Sequence, residues 1–312
     1  MQLLSYVLPS LLALAGVAWY TLLERKVLGY IMTRKGPNKV GFVGLIQPLA
    51  DGAKLLTKEL VLPMYSNITP FIVCPVVTFF IAMLMWLLYP YSTCEGLLAC
   101  GVLFFLCNSG VAVYGVLIAG WASNSKYALL GAVRGVAQSV SYEVGMALAL
   151  FSALFLMSCM SVQLMGLFQE AQWMSVGVAV IPFAMAWLMA ILAETNRAPF
   201  DFVEGESELV SGFNVEYSSG GFVLLYLAEY SNMLFTSMMT CVAYAGSGQW
   251  LLGGQALFFF FFFFFFFFFF LWCRGTLPRF RYDLLMCLAW KTILCLSLAL
   301  MMMLVGLVYL VT

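Results

Sequence analysis

Six of the chain's fourteen carboxylates fall within twenty-three residues, Glu194 to Glu216, with Arg197 the only basic residue among them. They are Glu194, Asp201, Glu204, Glu206, Glu208 and Glu216, and Glu204, Glu206 and Glu208 stand at every second position. Adjacent carboxylates repel, so such a set must share protons, pair with cations or enclose water. Two further carboxylates lie in strongly apolar surroundings, each beside a tyrosine: Tyr142-Glu143 and Glu229-Tyr230. A carboxyl withdrawn from water can take up and release a proton near neutrality. The chemistry open to these residues is therefore proton handling or charge relay. For Glu143, Glu194 and Glu229 the plainer alternative is a structural carboxyl bonded to a neighbouring helix. For the acidic segment it is a solvated loop, an alternative weakened by Pro199, Phe200, Phe202, Val203 and Phe213, which would bury part of it.

The elements that must position these groups are oily. The chain is 64% hydrophobic and 9% charged, with a mean hydropathy of +1.02, against roughly 25% charged residues in soluble domains. This is the composition of an all-α, polytopic membrane protein, residues 1–312 forming a single integral membrane domain. A spanning helix needs about 20 apolar residues. Charge-free stretches, divided at glycine and proline, place about eight spans near 3–23, 71–89, 97–121, 140–160, 172–192, 218–245, 255–273 and 286–310. Glu143 then opens the fourth span, Glu194 ends the fifth and Glu229 lies midway along the sixth. Inner-side loops fall near 24–70, 122–139, 193–217 and 274–285. They hold every Lys and Arg except Lys291 in the last span, while the opposite loops hold only Glu95 and Glu170. This positive-inside pattern puts both termini on the outer side.

The first inner loop is longer than a connector needs. Pro48 is placed to start a helix with Leu49, Ala53, Leu56 and Leu60 on one face and Asp51, Lys54 and Lys58 on another. Such a helix suits the headgroup plane. Phe258 to Phe270 is an unbroken phenylalanine run; it spans as a helix because the backbone must satisfy itself in lipid. A homopolymer encodes no face of its own, so the run reads as lipid-contacting filler. Nine cysteines without a CxxC pair read as small buried apolar side chains, not as metal ligands or disulfides. No histidine is present, which removes the commonest metal and haem ligand and the usual neutral-pH proton carrier. No basic patch follows a nucleic-acid backbone. Met1 to Tyr6 lacks the features of a signal or transit peptide, so insertion in the compartment of synthesis is expected.

Seven segments, in order, carry a family resemblance: Glu24 to Tyr30, Arg34 to Gly41, Gln47 to Leu55, Val140 to Val144, Glu194 to Tyr217, Leu227 to Tyr230 and Pro278 to Asp283. Together they resemble subunit 1 of the proton-pumping NADH:ubiquinone oxidoreductase, respiratory complex I, of mitochondrial type. The chain departs from that pattern in its phenylalanine run and at Leu284, where the family usually has a polar residue.

The resemblance implies a core subunit of the membrane arm, in the mitochondrial inner membrane, that forms much of a ubiquinone tunnel. Its expected partners are the other membrane-arm subunits, the quinone-site subunits of the peripheral arm and the lipid bilayer, with no nucleic acid. By matching motif, Arg25, Arg34, Asp51 and Phe222 would border the quinone passage. Glu204, Glu206 and Glu208 would sense quinone at its inner end. Tyr142, Glu143, Glu194, Asp201, Tyr217, Glu229 and Tyr230 would begin a carboxylate chain toward the proton pumps. By the same resemblance ubiquinone would be the substrate, and the chain would be a translocase subunit without a complete active site of its own. No glycine fingerprint for NAD or flavin follows a strand, and no cysteine set could hold an iron–sulfur cluster. A homologous subunit of an ion-translocating hydrogenase-type complex would share the acidic loop without the tunnel, although the basic approach to the amphipathic helix favours the quinone version. A stand-alone proton-coupled transporter is the other alternative, and the internal repeat such proteins often show is not visible here.

Overall fold

The computed structural model describes residues 2–90, 99–171, 175–203, 205–246 and 255–311. Among them every regular element is helical. Five helical stretches among the described residues are long and apolar enough to cross a membrane, and there are shorter apolar helices besides.

Helix α1 runs Gln2–Ile31, α2 Gln47–Leu56, α3 Ile68–Met85, α4 Gly101–Ala122 and α5 Lys126–Met157. Three short helices follow: α6 (Val162–Ala171), α7 (Val176–Ala179) and α8 (Ile181–Glu194). A single turn, α9 (Glu206–Leu209), lies within the acidic segment. Then come α10 (Ser219–Thr240), extended by a π-helical turn over Cys241–Ala245, and α11 (Gln255–Thr276). The chain closes with α12 (Tyr282–Cys287), a π-helical turn over Leu288–Ile293, and α13 (Leu294–Val311).

The helices differ from the expected spans mainly in how far they reach past the apolar run. α1 continues eight residues beyond 23, carrying Glu24 and Arg25 on helix rather than loop. α5 begins at Lys126, so most of the expected loop at 122–139 is helical. Its 32 residues extend about 48 Å at 1.5 Å per residue, well over the ~30 Å of hydrocarbon. Glu143 consequently sits in the middle of a helix rather than at its start. The expected fifth span is broken into α7 and α8, with residues 172–174 outside those described. α2 confirms the amphipathic helix with Pro48 in its first turn, although it ends at Leu56, short of Leu60.

α5 is the organising helix. It packs against α4 on one side and α8 on another, while α3 bridges α4 and α10, and α1 leans on α10. Small residues set these distances. A Cβ at Gly115 would come within 2.2 Å of Thr78, and one at Gly120 within 2.3 Å of Ala132. The larger core gathers Tyr20, Trp86, Phe105, Tyr142, Trp187, Tyr230 and Phe235 with several methionines. A smaller core joins Phe71, Cys74, Val203, Phe213 and Tyr217.

The phenylalanine helix α11 does acquire a face. Phe267 and Phe270 are buried, and the Phe267 ring lies 3.9 Å from that of Tyr20 on α1. Phe261, Phe264, Phe265 and Phe268 remain exposed. The neighbours, not the run itself, choose the buried positions, so the run is not wholly filler.

Candidate functional site

The acidic segment lies along α5 because α5 offers it a glycine groove. A Cβ at Gly135 would come within 2.5 Å of the Val203 side chain, and one at Gly131 within 3.0 Å of the Gly212 backbone. Phe200, Phe202, Val203, Leu209 and Phe213 are buried in consequence, as the apolar flanks implied. Gln138, fully buried on the same helix, donates to the carbonyls of Ala193 and Phe200, 2.8 Å each. One side chain thus ties the end of α8 to the start of the acidic segment.

The segment's carboxylates spread in different directions. Asp201 pairs with Arg279 at 3.2 Å and Glu208 with Arg134 at 2.6 Å. Glu206 stands on α9, with its side chain outside the described part, and Glu204 lies outside the described residues. Glu194, the last residue of α8, lies within electrostatic reach of Glu143. Glu143 in turn rests against the α4 backbone, where a Cβ at Gly110 would sit 3.0 Å from its carboxylate oxygen. Tyr142 packs its ring 5.8 Å from that of Phe200 and donates to the Leu285 carbonyl at 3.3 Å. Tyr142, Glu143 and Glu194 are thus gathered around the start of the acidic segment. Tyr217 stands apart, in the smaller core, its ring stacked parallel on Phe71 at 4.2 Å. Burial above all, with Cys74 adding in the same sense, raises the pKa of its phenol and keeps it neutral.

The strongest concentration of buried charge has a different centre, Glu24. It is 4% exposed. Arg274, from the end of α11, makes an ion pair with its Oε1, and the Arg197 guanidinium lies 3.7 Å from the same oxygen. Tyr230 donates to Oε2 at 2.6 Å, and its own hydroxyl is 2.9 Å from that of Tyr226. Arg197 also lies 4.5 Å above the Tyr230 ring, a cation–π geometry. Phe222, one turn before Tyr226, stacks on it with ring centres 5.5 Å apart. Phe222, Tyr226 and Tyr230 recur every fourth residue, so they form one face of α10 leading to Glu24. Glu229 is half-buried on the turn beside Tyr230.

Of the residues expected to border a quinone passage, Phe222 joins this ladder directly. Arg25, next to Glu24 on α1, instead pairs with Asp51 of α2 at 2.6 Å, and Gln47 supports Asp51 at 2.9 Å. Both partners of that bridge are substantially exposed. Arg34 is exposed on the turn after α1 and forms no ion pair with a described residue.

Sequence reasoning missed Glu24, Arg274, Tyr226 and Gln138 as site residues. Arg274, at the end of α11, pairs with Glu24 rather than with a carboxylate of the acidic segment. The tyrosine repeat was legible as an i, i+4 pattern; the partners of Glu24 come from helices far apart in sequence and were not.

A family model described as NADH dehydrogenase matches residues 3–305. The chain is 52% identical over 307 residues to NADH-ubiquinone oxidoreductase chain 1 of Anopheles gambiae, covering 98% of this chain and 96% of that one. It is 50% identical over 306 residues to the protein of the same name from Aedes aegypti, with the same coverage. For the Heterololigo bleekeri protein of that name the identity is 50% over 313 residues, covering 99% and 97%.

Proposed function

The chain belongs to the NADH dehydrogenase family and is a membrane subunit of NADH-ubiquinone oxidoreductase, and we propose that it forms much of the passage by which ubiquinone enters and couples quinone reduction to proton translocation. It would act in the mitochondrial inner membrane, both termini on the intermembrane-space side, among membrane-arm subunits and the quinone-site subunits of the peripheral arm. Electrons would reach ubiquinone from an iron–sulfur cluster on another subunit.

The observation that carries this reading is the position of Arg197. Along the chain it belongs to the acidic segment, between Glu194 and Asp201. In space its guanidinium lies over Tyr230 and beside Glu24. Quinone reduction consumes protons and alters charge nearby. A change of charge at the Glu24 end alters the pull on Arg197, and through Arg197 on the segment that carries Glu194, Asp201, Glu204, Glu206 and Glu208. Gln138 and the α5 groove hold the segment's base, so displacement is directed toward Tyr142, Glu143 and Glu194. Charge coupling of this kind needs two sites and a differential contact between them, and Arg197 supplies the contact. Phe222 and the Arg25–Asp51 bridge would border the entry, with Arg34 at its mouth.

The test is Glu229→Gln and Arg197→Met in the assembled complex, assayed for quinone reduction, proton pumping and reduction of a water-soluble acceptor by the peripheral arm. Both variants should lower quinone reduction and pumping severalfold while leaving the water-soluble acceptor reaction alone. Unchanged pumping and quinone turnover in both would sink the coupling role.

A further inference from the structure

One cation in the described part of the chain has no counter-charge and no water-facing end of a helix to sit on. Lys291 lies in the π-helical turn over Leu288–Ile293, nine residues beyond Tyr282, roughly 13 Å along the helix from the end that carries Arg279 and Arg281. Its turn packs against α5 through Ile293, which approaches Gly145, and α12 just before it does so through Leu285, which accepts from Tyr142, and Met286, which accepts from Ser141. Lys291 is therefore level with Glu143 but on the outward side of the last helix, where it is exposed. Among the described residues no carboxylate lies within ion-pair distance of it.

The surface around it is apolar and shaped for another helix. Leu284, Cys287, Lys291, Cys295, Leu298 and Met302 follow one another at three- and four-residue spacing, and all are exposed. The cation is thus flanked, one turn on either side, by two small cysteines. Small side chains let a second helix approach closely in a membrane, where association depends on packing and interhelical hydrogen bonds. An ionisable group at this depth is costly unless it finds a partner. A lysine serving only lipid headgroups would need no small neighbours, whereas a lysine facing a helix would.

We propose that the face of α12–α13 centred on Lys291 docks a transmembrane helix of another subunit, and that this helix presents an aspartate or glutamate to the Lys291 ammonium. The Cys287 and Cys295 positions let the two backbones close on each other, and the π-helical turn aims Lys291 out of the α5 contact and into that seam. This assignment depends on membership in a multi-subunit membrane assembly and not on the quinone or coupling roles proposed above.

The test uses the intact complex. A membrane-permeant carbodiimide activates desolvated carboxyls, and an amine already in contact with one displaces the reagent as its urea and leaves an amide. Peptide mass spectrometry should then find Lys291 joined to an Asp or Glu within a predicted membrane helix of another subunit. A link from Lys291 to a residue of this same chain would overturn the proposal, as would a phospholipid adduct, which would make it a headgroup contact. So would an unmodified Lys291 in a sample whose other membrane carboxyls have reacted. As a second reading, Lys291→Arg should retain wild-type amounts of assembled complex on a native gel, while Lys291→Glu should lower them severalfold. Equal assembly of the two variants would also count against it.

Discussion

The Glu24 node and the Arg134–Glu208 bridge are both made of arginine and glutamate, yet they differ in almost everything that decides energy. The first holds one carboxylate, itself withdrawn from water, between the buried Arg197, the partly exposed Arg274 and a phenol. The second joins two solvated side chains across the outside of the acidic segment. Charges taken out of water are expensive and are tolerated only when fully partnered, so losing one partner leaves the others stranded. Exposed pairs lose little, because water replaces the missing ion. The exposed carboxylates of the acidic segment are thus not the place where single charges matter most.

That contrast can be broken by mutation, beginning with its largest expected effect. Glu24→Gln leaves Arg197 and Arg274 facing each other without a counter-charge and should cost about 3–5 kcal/mol, seen as loss of assembled complex and a sharply lower inactivation temperature. Adding Arg274→Met to Glu24→Gln should recover part of that loss, since the remaining imbalance is smaller. Gly135→Val drives a branched side chain into Val203 and should cost about 1–3 kcal/mol of overpacking, with quinone reduction falling because the acidic segment is displaced. Gln138→Met removes the amide that bridges the Ala193 and Phe200 carbonyls, each of which keeps one backbone donor, Asn196 N–H and Phe202 N–H; about 1 kcal/mol is expected, and thermal inactivation of quinone reductase is the readout. Arg134→Ala should cost under about 1 kcal/mol and leave assembly at wild-type levels. If Arg134→Ala proved as damaging as Glu24→Gln, burial would not be what separates the two regions.

Much of the architecture was legible in the sequence because a lipid-spanning helix announces itself through its missing charges. Where it stops is less legible, and the reason is physical. Charge-free runs mark hydrocarbon, but helices end where capping and packing end, so α1 and α5 continue through Glu24 and Arg134. That displacement hid the node: once residue 24 is read as the start of a loop, Glu24 becomes one more solvated charge. The acidic segment was found by density alone, and its burial by its phenylalanines. Its seat on α5 depends on Gly131 and Gly135, whose value lies in what they lack, and nothing about an isolated glycine says which chain will fill the space.

Helix α11 bears on how much meaning a residue can hold. Its letters repeat, but Phe267 touches Tyr20, itself packed edge-on against the Tyr230 that bonds Glu24, while Phe261 and Phe265 are exposed. A random replacement in the run is therefore silent or harmful according to address, not spelling. Redundancy in the text of the run conceals a few words that the rest of the protein reads, Phe267 and Phe270 among them.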